Sequence, residues 1–247
     1  MLVSKYNASG NDFVIFHTFL KADRSNFAVK ICDRQNGIGA DGLIVILPYD
    51  DGIRWEFYNS DGSSANMCGN GSRAAFLYAY KNALINKSSK LLTGAGLITG
   101  DVDENSVEVE LTSPKILSKD SINEFDKEWF FYDTGVPHLV HFTQNLDKFD
   151  LNLAKHLRHK YNANINFAKF ENGSLKVRTY ERGVEDETLA CGTGMAACFY
   201  GAVLNLHANK ILSVYPKSGE ELQLRLENEK IYFKGNVKHC FDVSIEI

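Results

Sequence analysis

Short apolar runs broken by glycine and asparagine turns make up most of the chain, and two alanine-rich stretches interrupt them. Gly10-Asn11-Asp12 feeds Phe13-Val14-Ile15-Phe16, which predicts a turn and a short buried strand. Residues 27–34 can form two helical turns, Leu43-Ile44-Val45-Ile46-Leu47 reads as an apolar strand, and Trp55 to Asn59 as another. The alanines and large apolar residues after Cys68 predict a helix to about Leu84, apolar all round and therefore buried. Residues 96–99 and 106–111 flank Asp103-Glu104-Asn105 as a hairpin, and Thr112-Ser113-Pro114 marks a boundary.

The pattern then starts again. Trp129-Phe130-Phe131-Tyr132 leads through Asp133-Thr134-Gly135 to Leu139-Val140-His141-Phe142, and Leu151 to Tyr161 fits an amphipathic helix. Residues 164–170 and 175–180 alternate around Asn172-Gly173, a strong hairpin signal, and a second alanine-rich helix runs to about Leu206. Residues 222–226 and 231–233 alternate around Glu227-Asn228-Glu229. Mostly antiparallel strands plus one buried helix per half suggest a curled sheet or barrel wrapped around a helix.

The two alanine-rich helices open on matched loops. Setting Cys68 on Cys191 also aligns Gly69 with Gly192, Gly71 with Gly194, Ala74 with Ala197 and Phe76 with Phe199. From Gly10 to Cys68 is 58 residues and from Gly135 to Cys191 is 56, so an internal duplication is the working arrangement. The expected domains are residues 1–114 with a C-terminal strand at about 238–247, and residues 115–237.

Charge and composition narrow the function. A net charge of −4 in 247 residues gives no reason to expect nucleic acid or an anionic membrane surface. No apolar run approaches the roughly 20 residues of a membrane span, and the first residues lack the pattern of a signal peptide. Five cysteines without a Cys-x-x-Cys pair point away from structural zinc and toward reduced thiols in a cytoplasmic protein. Gly37-Ile38-Gly39-Ala40-Asp41-Gly42 matches G-x-G-x-x-G, but it precedes a strand instead of opening a helix, so a dinucleotide site is not expected.

Cys-Gly-polar-Gly at the start of a helix suits acid–base chemistry. The first-turn N–H groups have no partner inside the helix and can hold a carboxylate, and their partial charge lowers the pKa of a thiol. Two such ends, one on each side of a substrate, would let one thiolate remove an α-proton while the other thiol delivers one. The intervening carbanion would be held by the amides after each cysteine, with no metal or other cofactor required. Cys32, Cys198 and Cys240 lack this context and read as structural.

At this level of detail the chain resembles the diaminopimelate epimerase family, within the wider group of cofactor-independent amino-acid racemases. The motifs, in order, are Gly10-Asn11-Asp12-Phe13, residues 37–42, Asn59-Ser60-Asp61-Gly62-Ser63 and Cys68-Gly69-Asn70-Gly71-Ser72-Arg73. They continue with Pro137-His138, Asn164, Tyr180-Glu181-Arg182-Gly183, and Glu187-Thr188 running into Cys191-Gly192-Thr193-Gly194. The resemblance implies an α+β fold of two pseudosymmetric halves, each a mostly antiparallel β-barrel-like sheet around a central helix. It implies epimerisation of LL-2,6-diaminoheptanedioate to the meso form, in lysine and peptidoglycan precursor synthesis, independent of pyridoxal phosphate.

By the same resemblance Cys68 and Cys191 form the acid–base pair. Gly69, Asn70, Gly192 and Thr193 hold the α-carboxylate, and Asn11, Asn59, Asn164, Glu181 and Arg182 touch substrate. His138 and Glu181 tune the thiols. The partner is then a small-molecule amino-acid substrate, and a homodimer is left open. Three positions depart from the family pattern: Gly42 stands where many members carry Gln, Val136 where many carry Asn, and residues 184–187 add about one residue. Gly42 and Val136 keep open a related racemase of another amino acid; from a different class, the two cysteines themselves leave open a thiol redox sensor without turnover.

Overall fold

The computed structural model describes residues 1–246, and Ile247, the last residue of the expected C-terminal segment, lies outside the described residues. The chain forms two compact units, one from residues 1–110 together with those from Gly235 onward, the other from residues 111–234.

In the first unit β1 (Leu2–Ala8) and β2 (Asn11–His17) pair as a hairpin. The turn is the predicted Gly10 turn, with Ser9 and Gly10 at φ of 58° and 87°. Helix α1 (Ser25–Cys32) crosses to β3 (Gly42–Tyr49), parallel to β2, and β4 (Gly52–Asn59) returns antiparallel to β3. Helix α2 (Gly69–Lys81) follows, then β5 (Ser88–Thr93), parallel to β4, and the antiparallel β6 (Gly96–Asp103) and β7 (Ser106–Glu110).

The second unit opens with the short strands β8 (Lys115–Ile116) and β9 (Ile122–Glu124), and then repeats the scheme. The antiparallel pair β10 (Lys127–Asp133) and β11 (Pro137–Phe142) matches β1 and β2. Helix α3 (Leu151–Tyr161), parallel β12 (Asn164–Glu171) and antiparallel β13 (Ser174–Glu181) match α1, β3 and β4. After β14 (Asp186–Thr188), helix α4 (Gly192–Asn205) takes the place of α2. Strand β15 (Ile211–Tyr215) is parallel to β13, and β16 (Leu222–Glu227) and β17 (Lys230–Asn236) complete the set. The last strand, β18 (Lys238–Ser244), pairs antiparallel with β1 in the first unit. Every pairing from β1 to β7 thus has a counterpart of the same sense in the second unit.

Composition explains why the two central helices are buried. Helix α2 is buried from Gly69 to Tyr78 and packs against β1, β2, β3, β6 and β7 of its own unit. Side chains as small as alanine let strands approach; at Gly100 on β6 a Cβ would lie 2.5 Å from the Phe76 ring. Helix α4 is buried at residues 194–199 and packs against β10 to β13, β15 and β16. Each fully buried Phe or Leu on these helices contributes about 1.5–3 kcal/mol.

The other two helices are amphipathic and cover the opposite sheet faces. Ala28, Ile31 and Cys32 of α1 join Val14, Phe16, Leu43, Val45 and Leu47 in one cluster. Leu153, Ala154 and Leu157 of α3 join Trp129, Leu139, Ile165 and Phe167 in the other. Asp150 caps α3 by accepting from the Leu153 N–H at 3.0 Å, and Asn162 ends it at a φ of 49°.

Three features lay outside the sequence reading. Leu2–Ala8 is a strand that its mixed polar pattern hid, because Ser4 and Lys5 are buried by side-chain pairing. Serine-rich Ser88–Thr93 is likewise a strand. The glycines at 37–42 cap α1: Ile38 and Gly39 donate to the Ile31 carbonyl and Ala40 to that of Cys32, closing the helix end before β3.

Candidate active site

Cys68 takes an extended backbone, φ −152° and ψ 116°, and is the N-cap residue of α2. Its sulfur accepts from the Gly71 N–H at 3.4 Å, a hydrogen bond that favours the thiolate form. Gly69 and Asn70 follow in the first turn, where N–H groups have no partner within the helix.

The Asn70 side chain is only 2% exposed and is held inside the unit. Its Nδ2 donates to Asn11 Oδ1 at 3.1 Å, and its Oδ1 accepts from Arg73 Nη2 at 2.8 Å. Both ends of its amide are thus engaged within the unit. Asn11 Nδ2 donates to Asp41 Oδ2 at 2.8 Å. Asn59 donates to Ser63 Oγ at 2.9 Å within its own turn.

Gly42, one of the departures from the expected family pattern, has no room for a side chain: a Cβ would stand 2.7 Å from the Phe57 ring and 2.8 Å from the Tyr58 carbonyl. Phe57 occupies that space in a T-shaped contact with Phe13, ring centroids 5.9 Å apart.

In the second unit Cys191 caps α4 with a similar backbone, φ −118° and ψ 109°, and is 7% exposed. Thr193 Oγ1 lies 3.5 Å from its sulfur, and Thr134 Oγ1 donates to the Thr193 carbonyl at 2.8 Å. Burial raises the pKa of Glu181, while the neighbouring Thr188 hydroxyl and Cys191 thiol pull it down. A carboxyl of raised pKa thus stands beside the Cys191 thiol.

His138 is fully buried. Burial pushes its pKa down to about 3 against the Asn166 hydrogen bond, which raises it, and the Arg182 charge adds to the lowering. The ring is neutral at any working pH, with Nδ1 3.1 Å from Asn166 Nδ2 and Nε2 3.4 Å from Asn164 Nδ2. Asn164 Oδ1 accepts from the Arg182 N–H at 2.7 Å, and the Arg182 guanidinium donates to the Asn162 carbonyl at 3.0 Å.

Within each unit, hydrogen bonds and neighbouring side chains link part of the predicted set. In the first these are Asn11, Gly69 and Asn70 around Cys68, with Asn59 at the end of β4. In the second, Thr193 and Glu181 stand beside Cys191, and His138, Asn164 and Arg182 are linked to one another by hydrogen bonds.

Several residues without an assigned role complete these shells. Arg73 is a guanidinium with no exposed surface one turn into α2, and Asp41 fixes Asn11. Asn166 donates to His138 and to the Leu139 carbonyl at 2.9 Å, and accepts from Thr179 Oγ1 at 2.9 Å. The available signal was asparagine at two alternate positions of a strand, an unusual pattern for a buried face.

Gly194 makes the fit tight, since a Cβ there would lie 2.5 Å from Asn166 Oδ1 and 2.9 Å from Thr179 Oγ1. Gly194→Ala is expected to lower unfolding free energy by about 1–3 kcal/mol, read from urea melts. A change below about 0.5 kcal/mol, the range of surface substitutions, would contradict this packing.

Burial holds the thiols of Cys32, at about 12, and Cys198, well above the usual range, in the protonated form. No group of His, Cys, Asp or Glu among the described residues is arranged to hold a metal ion. No described helix is long and apolar enough to cross a membrane.

The sequence model of the diaminopimelate epimerase family matches residues 3–117 and 130–240. A diaminopimelate epimerase of Nitratiruptor sp. is 57% identical over 98% of this chain and 97% of its own length. One of Helicobacter pylori is 45% identical over 97% of this chain and 94% of its own. Among solved structures, a PhzF-family phenazine biosynthesis protein of Enterococcus faecalis superposes with a TM-score of 0.76 at 12% identity, covering 100% of this chain and 99% of that one.

Proposed function

The chain belongs to the diaminopimelate epimerase family and is an isomerase, and from that premise we propose that it interconverts LL- and meso-2,6-diaminoheptanedioate with Cys68 and Cys191 as its acid–base pair. The product would feed lysine and peptidoglycan precursors. The observation that supports the cysteine assignment most directly is the repeat itself. Both cysteines are extended N-cap residues of the central helices, each followed by a glycine and a polar residue in the first turn.

One thiolate takes the α-proton, and the electron pair left on carbon delocalises into the carboxylate. The other thiol then returns a proton to the opposite face of the planar carbanion, which inverts the centre and exchanges the protonation states of the two sulfurs. The N–H groups of Gly69, Asn70, Gly192 and Thr193 are the candidates to hold the carboxylate as its charge grows. Arg182 suits the distal carboxylate, because a guanidinium can pair with it through two parallel hydrogen bonds. Asn11, Asn59, Asn164 and Glu181 offer oxygens to ammonium groups. Glu181 and the neutral His138 set the proton affinity around Cys191.

Exchange of the α-proton in D2O, followed by mass spectrometry across a panel of amino acids, tests this reading. Deuterium is expected at one α-carbon of diaminopimelate together with inversion. Exchange confined to another amino acid would overturn the substrate, and no exchange at all would overturn the acid–base assignment.

A further inference from the structure

Asn11 and Asn70 are links in a hydrogen-bond chain whose two ends carry opposite charge. Asp41 Oδ2 accepts from Asn11 Nδ2 at 2.8 Å, Asn11 Oδ1 accepts from Asn70 Nδ2 at 3.1 Å, and Asn70 Oδ1 accepts from Arg73 Nη2 at 2.8 Å. An ionised carboxylate only accepts and a guanidinium only donates. Both amides must therefore turn nitrogen toward Asp41 and oxygen toward Arg73. Reversing either one would set two donors or two acceptors against each other.

The ends of the chain are anchored as well. Asp41 Oδ2 also accepts from the Asp12 N–H at 3.2 Å, and Asp41 Oδ1 accepts from Arg34 Nη2 at 2.8 Å. Arg73, with no exposed surface, donates to Ser9 Oγ at 2.7 Å and to the Asn236 carbonyl at 3.3 Å. Its guanidinium thereby ties the first turn of α2 to the β1–β2 turn.

The duplication supplies an internal control. The residues of the second unit at the positions of Asn11, Asp41, Asn70 and Arg73 are Val136, Ala163, Thr193 and Ala196. None of the first, second and fourth carries a polar side chain, yet the same strands and helix form around them. The fold does not demand the chain.

We propose that Asp41 and Arg73 are positioning residues for substrate binding, which fix the direction in which the Asn11 amide offers its remaining hydrogen and lone pair to the amino acid. This rests on Asn11 being a substrate contact. With one Nδ2 hydrogen directed to Asp41 and one Oδ1 lone pair to Asn70, Asn11 keeps one donor and one acceptor, both in set directions. Neither Asp41 nor Arg73 needs to touch substrate to act this way.

Steady-state kinetics on the full chain tests it, with whichever amino acid exchanges its α-proton as substrate. Wild-type turnover of diaminopimelate decides the family reading separately. In Asp41→Asn the residue can face Asn11 with either oxygen or nitrogen, so the orientation is lost. The value of kcat/KM is expected to fall about 10- to 100-fold, the range for a hydrogen bond to a charged group, with most of the change in KM. A merely structural role would reduce the folded fraction, lowering apparent kcat and leaving KM in place.

Lys90→Ala removes an exposed ion pair with Asp51 in the same unit, outside the amide chain and its anchors, and is expected to keep KM within about twofold of wild type. Unchanged KM in Asp41→Asn, or an equal rise in Lys90→Ala, would overturn the proposal. If Asp41→Asn does not fold, Arg73→Lys replaces it: the charge stays and the forked donation to Asn70 and Ser9 is lost. The same rise in KM is expected there, and an unchanged KM overturns the proposal.

Discussion

Alanine at Cys68 or at Cys191 is expected to lower kcat for epimerisation by about 10^3-fold or more, equally in both directions, since a positioned acid or base typically contributes 10^2 to 10^4. Each sulfur is the base for one stereoisomer and the acid for the other, so removing either stops inversion both ways. Exchange without inversion should persist, and it is the sharper readout. Cys68→Ala keeps Cys191 as a base, and can wash the α-proton of one isomer into D2O and return it to the same face. Cys191→Ala should do this for the other isomer. Proton NMR of each isomer with each variant gives four rates, of which two, one per variant, should exceed the rate of inversion. If either variant epimerises within tenfold of wild type, that cysteine is not an acid–base group. If both variants exchange the same isomer, the division of labour is wrong.

The duplicated cysteine loop was legible in the sequence because it is local: a cap residue, two glycines and an alanine-rich helix lie within one stretch. The fold followed from it through spacing, and the matched pairings, β2 with β3 and β11 with β12, extend the repeat to the level of register. Phe13 pairs with Gly42 where His138 pairs with Asn164. What stayed hidden was polar chemistry inside apolar surroundings. Arg73 sits among alanines on a helix without an exposed face, and nothing in an alternation pattern tells a buried guanidinium from a surface one. Asn166 and Thr179 are inward-facing polar residues on neighbouring strands, and their partners are 28 and 13 residues away in sequence.

One departure from the family pattern, Gly42, became interpretable only in three dimensions. A missing glutamine at Gly42 reads in sequence as a lost contact, whereas the Phe57 ring fills the space its side chain would need. Asn59 reads equally as a turn residue or a ligand contact; its Nδ2 serves the turn, and its carbonyl oxygen is the part that can serve a ligand.

The neutrality of His138 carries the last large effect. In the unfolded chain its pKa is near 6.5; in the folded protein burial holds it near 3. Above pH 6.5 both states are neutral and the residue does not affect stability. As pH falls below 6.5 the unfolded chain takes up a proton that the folded protein refuses, so stability is lost with acidification until about pH 3. Each pH unit within that window costs about 1.4 kcal/mol, or about 2 kcal/mol at pH 5, against a typical total of 5–15. Other groups titrate nearby: Glu181, whose pKa is raised, acts in the opposite sense, and His141, lowered by burial, in the same sense. The measurement is therefore a difference. Urea unfolding of wild type and of His138→Gln, each at pH 7 and pH 5, should show wild type losing about 2 kcal/mol more than the variant. Glutamine can still meet the Asn166 amide and has no proton to gain. Equal losses would mean that His138 is protonated in the folded protein. A cationic ring beside Asn166 could then stabilise a thiolate by charge, and the tuning of Cys191 would pass from the Glu181 carboxyl to the imidazolium.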